Sequence, residues 1–543
     1  MPILNRPSLA SESRASAVAA RQRRLPRVTG SRPALVQALL DPSISPLVEG
    51  DANGGVELVE THISWVFLVT SRVYKVKKPV NLEFLDFTTL ERRRAACEDE
   101  VRLNRRLAPD VYEGVVELRG TPERPRLGGA GPLLDVAVAM RRLPADRMLD
   151  HLVRQGAVDP ALMDAIGATV ARFHASAETG GEIDELGGIG TVARNWDENF
   201  RQTVAVPADV LPPEARAAIA QYVGDFLARE RARLEARVLE AHSRDCHGDL
   251  QAQHVCCTDP IRIFDCIEFN HRFRFGDTAG EIAFLAMDLE RLGRRDLAMR
   301  FLNAYLEESG DHGAVPLLDF YRAYRAYVRG KVLGFQISDH PEVAAEARTF
   351  FALAERYARA RPVGRLVITS GVMGVGKTSV ARLVAERLGA IVIRTDAIRK
   401  RLAGLAPSAR ALHGFGEGLY TPEMSAQTYA EALRLAGEML ASGWPVIVDG
   451  AFSHASERAD ARALTSRARA PLTVVWCDAP DAVITERLRR RASERHEVSD
   501  GRVELLAAHR RGYETPEHEA EVVRIDTTLP LGSQVERFFP AGV

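Results

Sequence analysis

The sequence predicts two successive folded domains, a bilobal α+β domain followed by an α/β domain with a parallel sheet. Three observations predict this. A glycine-rich loop flanked by an apolar strand and a helical period starts only beyond residue 370, and strand and helix patterns alternate from there to the C-terminus. The long stretch ahead of it carries a strand lysine, a helical glutamate and two loop aspartates in fixed order. Between the two, the run from Arg359 to Gly364 holds Pro362 where a helical pattern stops. With 543 residues the chain has room for about three domains. The reading divides it into a disordered tail over 1–33, the bilobal domain over 34–361 and the α/β domain over 362–543.

Composition is that of an ordinary globular chain, 46% hydrophobic and 27% charged with a formal net charge of -1, so no global basic excess argues for nucleic acid. No apolar run approaches the roughly 18 to 20 residues of a membrane span, and the N-terminus lacks the apolar core of a secretory signal. A cytoplasmic chain is expected. Residues 1–33 are rich in Arg, Ser and Ala with Glu12 as their one acid, a composition shared by organellar transit peptides and disordered tails; the tail is the simpler reading. Four of the six cysteines, Cys246, Cys256, Cys257 and Cys266, surround one segment without a CxxC pair, which reads as small reduced core residues.

In the first lobe, Trp65–Thr70 and Val73–Lys77 read as strands around Ser71 and Arg72. Side chains alternate along a strand, so Lys75 and Lys77 share a face. Leu90–Leu107 is helical in period and offers Glu98 and Glu100 as partners for a lysine; Glu100, preceding Leu103 and Leu107 on an apolar stripe, is preferred. The loop Thr61-His62-Ile63-Ser64 has no glycine, although Gly54 and Gly55 lie shortly before it.

The run Cys246 to His254, CHGDLQAQH, precedes the strand-like Ile261–Phe264 and then Asp265. An Asp on a tight loop, a metal-ligand position five residues on and a second Asp at the next strand end is the layout of a protein-kinase-like phosphotransfer site. In that layout Asp249 accepts or orients the proton of an attacking hydroxyl while Asp265 holds Mg2+ on the triphosphate. Helical periods at 160–175, 213–241 and 278–308 supply the second lobe, continued by Tyr321–Lys331 and Pro341–Arg359. Arg322, Arg325, Arg329 and Lys331 read as a solvated helix face, with a basic patch for a phosphorylated partner as the sharper alternative.

Gly371 to Thr378, GVMGVGKT, matches GxxxxGKT in full, after the apolar strand Leu366–Thr369 and before a helical period over Ser379–Leu388. Converging backbone N–H groups and the helix N-terminus bind phosphate there. The nucleotide-binding set is Gly371, Gly374, Gly376, Lys377, Thr378 and Ser379, with Lys377 on the β- and γ-oxygens and Thr378 on Mg2+. Strands at Ile391–Thr395, Val446–Asp449, Leu472–Trp476 and Val522–Ile525 complete a parallel sheet with helices on both faces, and Asp449 ends its strand where a carboxylate orients Mg2+ or its waters.

His247, Gly248, Asp249 and Asp265 resemble the aminoglycoside phosphotransferase family, whose catalytic loop reads HGDxxxxN, and Gly276, Asp277 and Glu281 resemble its GDxxxDLA segment, with Glu in place of the last Asp. The resemblance implies that Lys75 serves the α- and β-phosphates, paired with Glu100, and that Glu281 braces the catalytic loop. Position 254 carries His where the family has Asn; a neutral ring nitrogen ligates metals, but Mg2+ prefers oxygen, so His254 as a metal ligand stands beside a structural role. The second half is similar to the AAA_33 type of P-loop domain and to small-molecule and polynucleotide kinases of that class. This likeness implies Asp396 as base for the acceptor hydroxyl, with a helix N-cap as the alternative, Arg399 as a substrate grip, and Arg487 and Arg491 as lid arginines, with Arg495 behind. The expectation is a phosphotransferase with two ATP·Mg2+ sites that passes γ-phosphoryl groups to hydroxyls of small molecules or nucleotides. A P-loop kinase with a regulatory or substrate-binding first domain, and a polynucleotide 5′-hydroxyl kinase served by Arg399, Lys400 and Arg401, are the alternatives.

Overall fold

The computed structural model describes residues 32–48, 55–82, 85–360, 363–407, 409, 418–492 and 503–540, with side chains to 490 in the stretch ending at 492. The tail expected over 1–33 therefore lies outside the described residues but for Arg32 and Pro33. Contacts group the chain into two compact units, Met1–Arg102 with Asp110–Arg142, and Leu103–Pro109 with Leu143–Val543.

The first unit is built on an antiparallel sheet of β1 (Glu57–Glu60), β2 (Ser64–Leu68), β3 (Arg72–Lys77), β4 (Tyr112–Thr121), β5 (Arg124–Leu127) and β6 (Leu133–Arg141). The strand order is β1-β2-β3-β6-β4-β5. Period-2 alternation sends Phe67, Tyr74, Val76, Leu118, Ala137 and Ala139 into one core. β2 stops at Leu68, short of the expected Thr70, because Val69 N–H donates to the Arg72 carbonyl and closes the turn. The glycine-free loop ahead of β2 is itself a tight turn, with Ser64 N–H donating to Thr61 Oγ1 at 3.0 Å. α1 (Leu90–Asn104) ends three residues before the expected Leu107, the chain leaving the helix ahead of Pro109. Arg93 on α1 donates to Asp135 of β6 at 3.0 Å, both buried, which fixes the helix on the sheet.

The second unit joins a helical lobe and a parallel sheet. At the centre of the lobe lies α2 (Thr278–Arg291), buried without interruption from Thr278 to Leu289 and mostly apolar round its circumference. α3 (Arg295–Ser309) packs on the helix Pro160–Ser176, where Gly167 admits the backbone of Phe301, and α4 (Leu318–Gly334) packs on Ala344–Arg359. α4 corrects the reading of its arginines as a solvated face. Arg322 is buried beside Glu290 at 3.3 Å and Asp319 at 3.2 Å, and Lys331 donates to Asn199 at 2.6 Å and Gln202 at 2.8 Å.

The parallel sheet comprises β7 (Leu366–Ser370), β8 (Ile391–Arg394), β9 (Val446–Asp449), β10 (Leu472–Asp478) and β11 (Val522–Asp526), ordered β8-β9-β7-β10-β11. β8 stops before Thr395 because that residue opens the next helix. Both faces are covered, as parallel sheets require. Val367 and Ile447 point into a core with Val380 and Val384 of the helix after the glycine loop. Leu366, Ile368, Ile391 and Val446 join on the other face a cluster that runs without a break into Leu302, Tyr305 and Leu306 of α3. α3 also covers the free edge of β8: Val392 N–H donates to Asn303 Oδ1 at 2.8 Å, and Asn303 Nδ2 donates to the Ala390 carbonyl at 3.1 Å. Among the described residues no helix is long and apolar enough to cross a membrane.

Candidate functional site

In the first unit, β3 presents Lys75 and Lys77 to one carboxylate. Lys75 Nζ donates to Glu100 Oε1 at 2.9 Å and Lys77 Nζ to Glu100 Oε2 at 2.8 Å. The structure thus brings the predicted Lys75 and Glu100 together and adds Lys77. The Lys75 side chain keeps 12% of its exposure against none for Lys77, whose ammonium lies 5.1 Å from the Phe87 ring centre. Lys75 is therefore the lysine of the pair that a ligand can reach.

In the second unit, Asp249, His254 and Asp265 converge. His254 Nδ1 lies 2.8 Å from the Asp249 carbonyl, which makes Nδ1 the protonated nitrogen, and Nε2 comes 3.6 Å from Asp265 Oδ2. Asp265 sits at φ 64, in the left-handed region that costs a non-glycine residue roughly 1–2 kcal/mol. Asp249 Oδ1 accepts from Gln251 Nε2 at 2.6 Å.

The loop holding Asp249 is braced from beneath by Glu281 of α2. Its carboxylate accepts from Gly248 N–H at 2.6 Å and His247 N–H at 2.8 Å, and His174 Nε2 lies 3.0 Å from it. Burial pushes the Glu281 carboxyl up, but the hydrogen bond and charge of His174, with His247 and its amide, outweigh this and hold it at about 2. Burial likewise pushes the His247 ring below its usual range, and His247 Nε2 meets the Phe264 carbonyl at 3.0 Å. Arg325 donates to the Gly248 carbonyl at 3.0 Å and Asp288 accepts from Ala252 N–H at 3.0 Å. Sequence reasoning missed both, because each partner is far along the chain. His174, Cys246 and Glu281 also bring three potential ligand atoms within 4.8 Å, yet hydrogen bonds already engage the Glu281 oxygens. All six cysteines are buried and free, as expected of core residues.

The glycine loop follows β7 and feeds α5 (Lys377–Leu388). Gly371, Gly374 and Gly376 have φ of 144, 74 and 105. A Cβ on Gly371 would stand 2.7 Å from the Cys477 carbonyl, and one on Gly374 2.8 Å from Leu488 Cγ. Lys377 Nζ donates to the Gly371 and Val372 carbonyls at 2.9 Å each. Thr378 Oγ1 donates to Asp449 Oδ2 at 2.7 Å, and Thr369 Oγ1 to Asp449 Oδ1 at 3.1 Å. The predicted Thr378 and Asp449 thus meet at the ends of two neighbouring parallel strands. Ser379 is exposed on α5.

Asp396 is the second residue of α6 (Thr395–Leu402), whose N-cap is Arg394 with no side-chain cap bond, so the N-cap alternative for Asp396 does not apply. Its half-buried carboxylate has no hydrogen-bond or ion-pair partner among the described residues. Arg399, expected to grip substrate, instead donates to the Leu419 carbonyl at 3.0 Å and Ser425 Oγ at 3.1 Å, buried over the Tyr420 ring. Arg487, on α7 (Asp481–Ala492), donates to the Val375 carbonyl at 3.0 Å and to Thr527 Oγ1 at 2.8 Å, gripping the glycine loop from behind. The side chain of Arg491, and all of Arg495, lie outside the described residues.

These features define a protein-kinase-like bilobal domain joined to a P-loop domain of kinase type. Residues 366–516 match the family AAA_33, AAA domain. The chain is 36% identical over 477 residues to "Uncharacterized protein Rv2004c" of Mycobacterium tuberculosis (strain ATCC 25618 / H37Rv), covering 88% of this chain and 93% of that protein. It matches "Uncharacterized protein Mb2027c" of Mycobacterium bovis (strain ATCC BAA-935 / AF2122/97) to the same extent. The chain belongs to the family of these mycobacterial proteins. Similar solved structures include a gluconokinase from Sinorhizobium meliloti 1021, at 26% identity and TM-score 0.24 over 33% of this chain and 91% of that one. A choline/ethanolamine kinase family protein from Mesorhizobium loti aligns at 14% identity and TM-score 0.37 over 60% of this chain and 94% of that one. Aminoglycoside 2′-phosphotransferase-IIIa aligns at 12% identity and TM-score 0.35 over 59% and 97%.

Proposed function

We propose that the chain is a phosphotransferase with two ATP·Mg2+ sites, each passing a γ-phosphoryl group to a hydroxyl of a small molecule or nucleotide. The observation that carries this reading is the Thr378–Asp449 hydrogen bond of 2.7 Å behind a loop whose three glycines all have positive φ and of which Gly371 and Gly374 leave no room for side chains. The residues fit the nucleotide. Loop N–H groups and Lys377 would hold the phosphates, and Thr378 and Asp449 would hold Mg2+ or its waters. When bound, the ion supplies charge neutralisation on the phosphate oxygens. Asp396, half-buried and without a partner among the described residues, supports a role as base toward the acceptor. In the first unit, Lys75 with Glu100 would serve phosphates; in the second unit, Asp265 and His254 would hold a metal and Asp249 would orient an acceptor hydroxyl.

Lys377→Ala and Asp249→Ala in the full chain test this reading by Mg2+-dependent ATP turnover with a metabolite extract as acceptor. Each substitution is expected to remove part of the turnover, and the double variant nearly all of it. Complete loss in Lys377→Ala with no change in Asp249→Ala would sink the two-site reading. That result would favour a first domain that binds without turnover, an alternative supported by His254 standing where the resembling family has Asn.

A further inference from the structure

One half-buried histidine in the P-loop domain has no place in the chemistry above. His509 lies on α8 (Val503–Arg511), and its ring touches the glycine loop itself: Met373 N–H donates to His509 Nδ1 at 3.3 Å. On its other side, His509 Nε2 and Ser453 Oγ are 3.0 Å apart, Ser453 lying four residues beyond Asp449. Since Nδ1 accepts from an amide, Nε2 carries the proton and donates to Ser453. The arrangement is held in place. Tyr513 hydroxyl is 2.8 Å from Ser370 Oγ at the end of β7, and Glu514 N–H donates to the Ser453 carbonyl at 2.9 Å. Burial, then the charges of Lys377, His454 and Arg510, opposed by Asp396, hold the ring at about 4, so it is neutral near pH 7 and able to accept. Lys377 is at the same time turned onto the Gly371 and Val372 carbonyls. The loop's amide at Met373 and its lysine are thus both satisfied by the chain's own groups, the positions a phosphate would claim.

An amide N–H bonds a charged phosphate oxygen about twice as strongly as a neutral acceptor, so a phosphate displaces imidazole from Met373. Met373 precedes the Gly374–Thr378 amides that wrap the β-phosphate in a loop of this kind, which puts its N–H on the γ side. We propose that His509 is a γ-phosphoryl contact: it occupies the Met373 amide and, once a γ-phosphoryl oxygen takes that amide, turns a ring N–H onto the same group. The exchange needs no net proton. The ring moves its proton from Nε2 to Nδ1 through solvent, and the Ser453 hydroxyl, accepting before, donates to Nε2 after. The inference rests on the reading of the P-loop as a nucleoside triphosphate site.

The test is titration calorimetry of the full chain with Mg·ADP and with the non-hydrolysable Mg·AMP-PNP. His509→Ala is expected to lower the preference for the triphosphate over the diphosphate by about tenfold, with diphosphate affinity little changed. His509→Gln, which can accept from Met373 and donate to phosphate, should keep most of the preference. His509→Phe, which keeps the ring volume on α8 without its nitrogens, should lose it as Ala does. An unchanged ratio in both the Ala and Phe variants, or an equal loss for both nucleotides, overturns the proposal, since a purely packing role would weaken both alike. Lys377→Ala should weaken both nucleotides. Failure of the unaltered chain to bind either would sink the triphosphate-site reading, and this inference with it.

Discussion

Glu281 accepts two loop amides and faces His174, so the geometry of the Asp249 loop hangs on one carboxylate. With its folded pKa near 2 against an ordinary 4.5, its contribution to stability is fully present above pH about 4.5 and is lost as pH falls toward 2. Glu281→Gln should cost roughly 2–3 kcal/mol near neutral pH, and urea midpoints of the two proteins should converge as pH falls from 5 to 3. A constant gap across that range would show that the carboxylate charge is not what holds the loop. His254 makes a second residue-scale case. With Nδ1 committed to the Asp249 carbonyl, Nε2 is the nitrogen that faces Asp265 and lies 3.1 Å from Gln253 Nε2, and an imidazole suits Ni2+ better than Mg2+. If His254 is a metal ligand, His254→Asn should shift the metal preference of any Asp249-dependent turnover from Ni2+ toward Mg2+. An unchanged Ni2+/Mg2+ ratio would rule His254 out as a metal ligand.

At the scale of elements, strands and helices were legible because their periods are local, and the site was legible where chemistry requires consecutive residues. GVMGVGKT and HGD are such runs, and the five parallel strands follow from apolar segments ending in turn residues. What escaped depends on partners distant in sequence. Period-2 alternation could place Lys75 and Lys77 on one face but could not say that Glu100 takes both. Arg325 looked like surface charge on α4 because its acceptors, Gly248 and Gly280, lie far upstream. His509 is a lone histidine on an amphipathic helix, with no neighbouring residue to mark it. The glycine loop shows the reverse, local signal with tertiary meaning. At Gly374, φ of 74 and Leu488 on α7 both exclude a side chain, so Gly374→Ala combines backbone strain with a clash. Mg·ADP affinity should fall at least tenfold while the circular dichroism spectrum is retained. Unimpaired binding would mean that α7 yields freely behind the loop.

The helical lobe and the parallel sheet are not beads on a string. The apolar cluster on one face of the sheet continues into Leu302, Tyr305 and Leu306 of α3. Polar bonds seal the seam: Asn303 caps the edge of β8, Arg394 donates to Glu307 at 2.8 Å, and Arg401 bonds the carbonyls ending α3. Arg394 also comes 3.8 Å from Asp449 Oδ2, so the strand residue that faces the lobe on one side faces the P-loop carboxylate on the other. Separating the helical lobe from the sheet ahead of β7 would expose that cluster and leave the β8 edge uncovered, a strand edge prone to pair with other chains. Elements that share one core unfold as one cooperative unit. Calorimetry of the full chain should therefore show the helical lobe and the sheet melting in a single transition, and saturating Mg·ADP at the P-loop should raise the whole of it. Asn303→Ala should lower the same transition by the worth of its two hydrogen bonds, about 1–3 kcal/mol. Two resolved transitions for these elements, with nucleotide raising one alone, would show that the seam is too weak to join them. A single transition that moves as one would mean that ligand binding at the P-loop stabilises the helical lobe bearing Asp249 through the shared core and the hydrogen bonds of the seam.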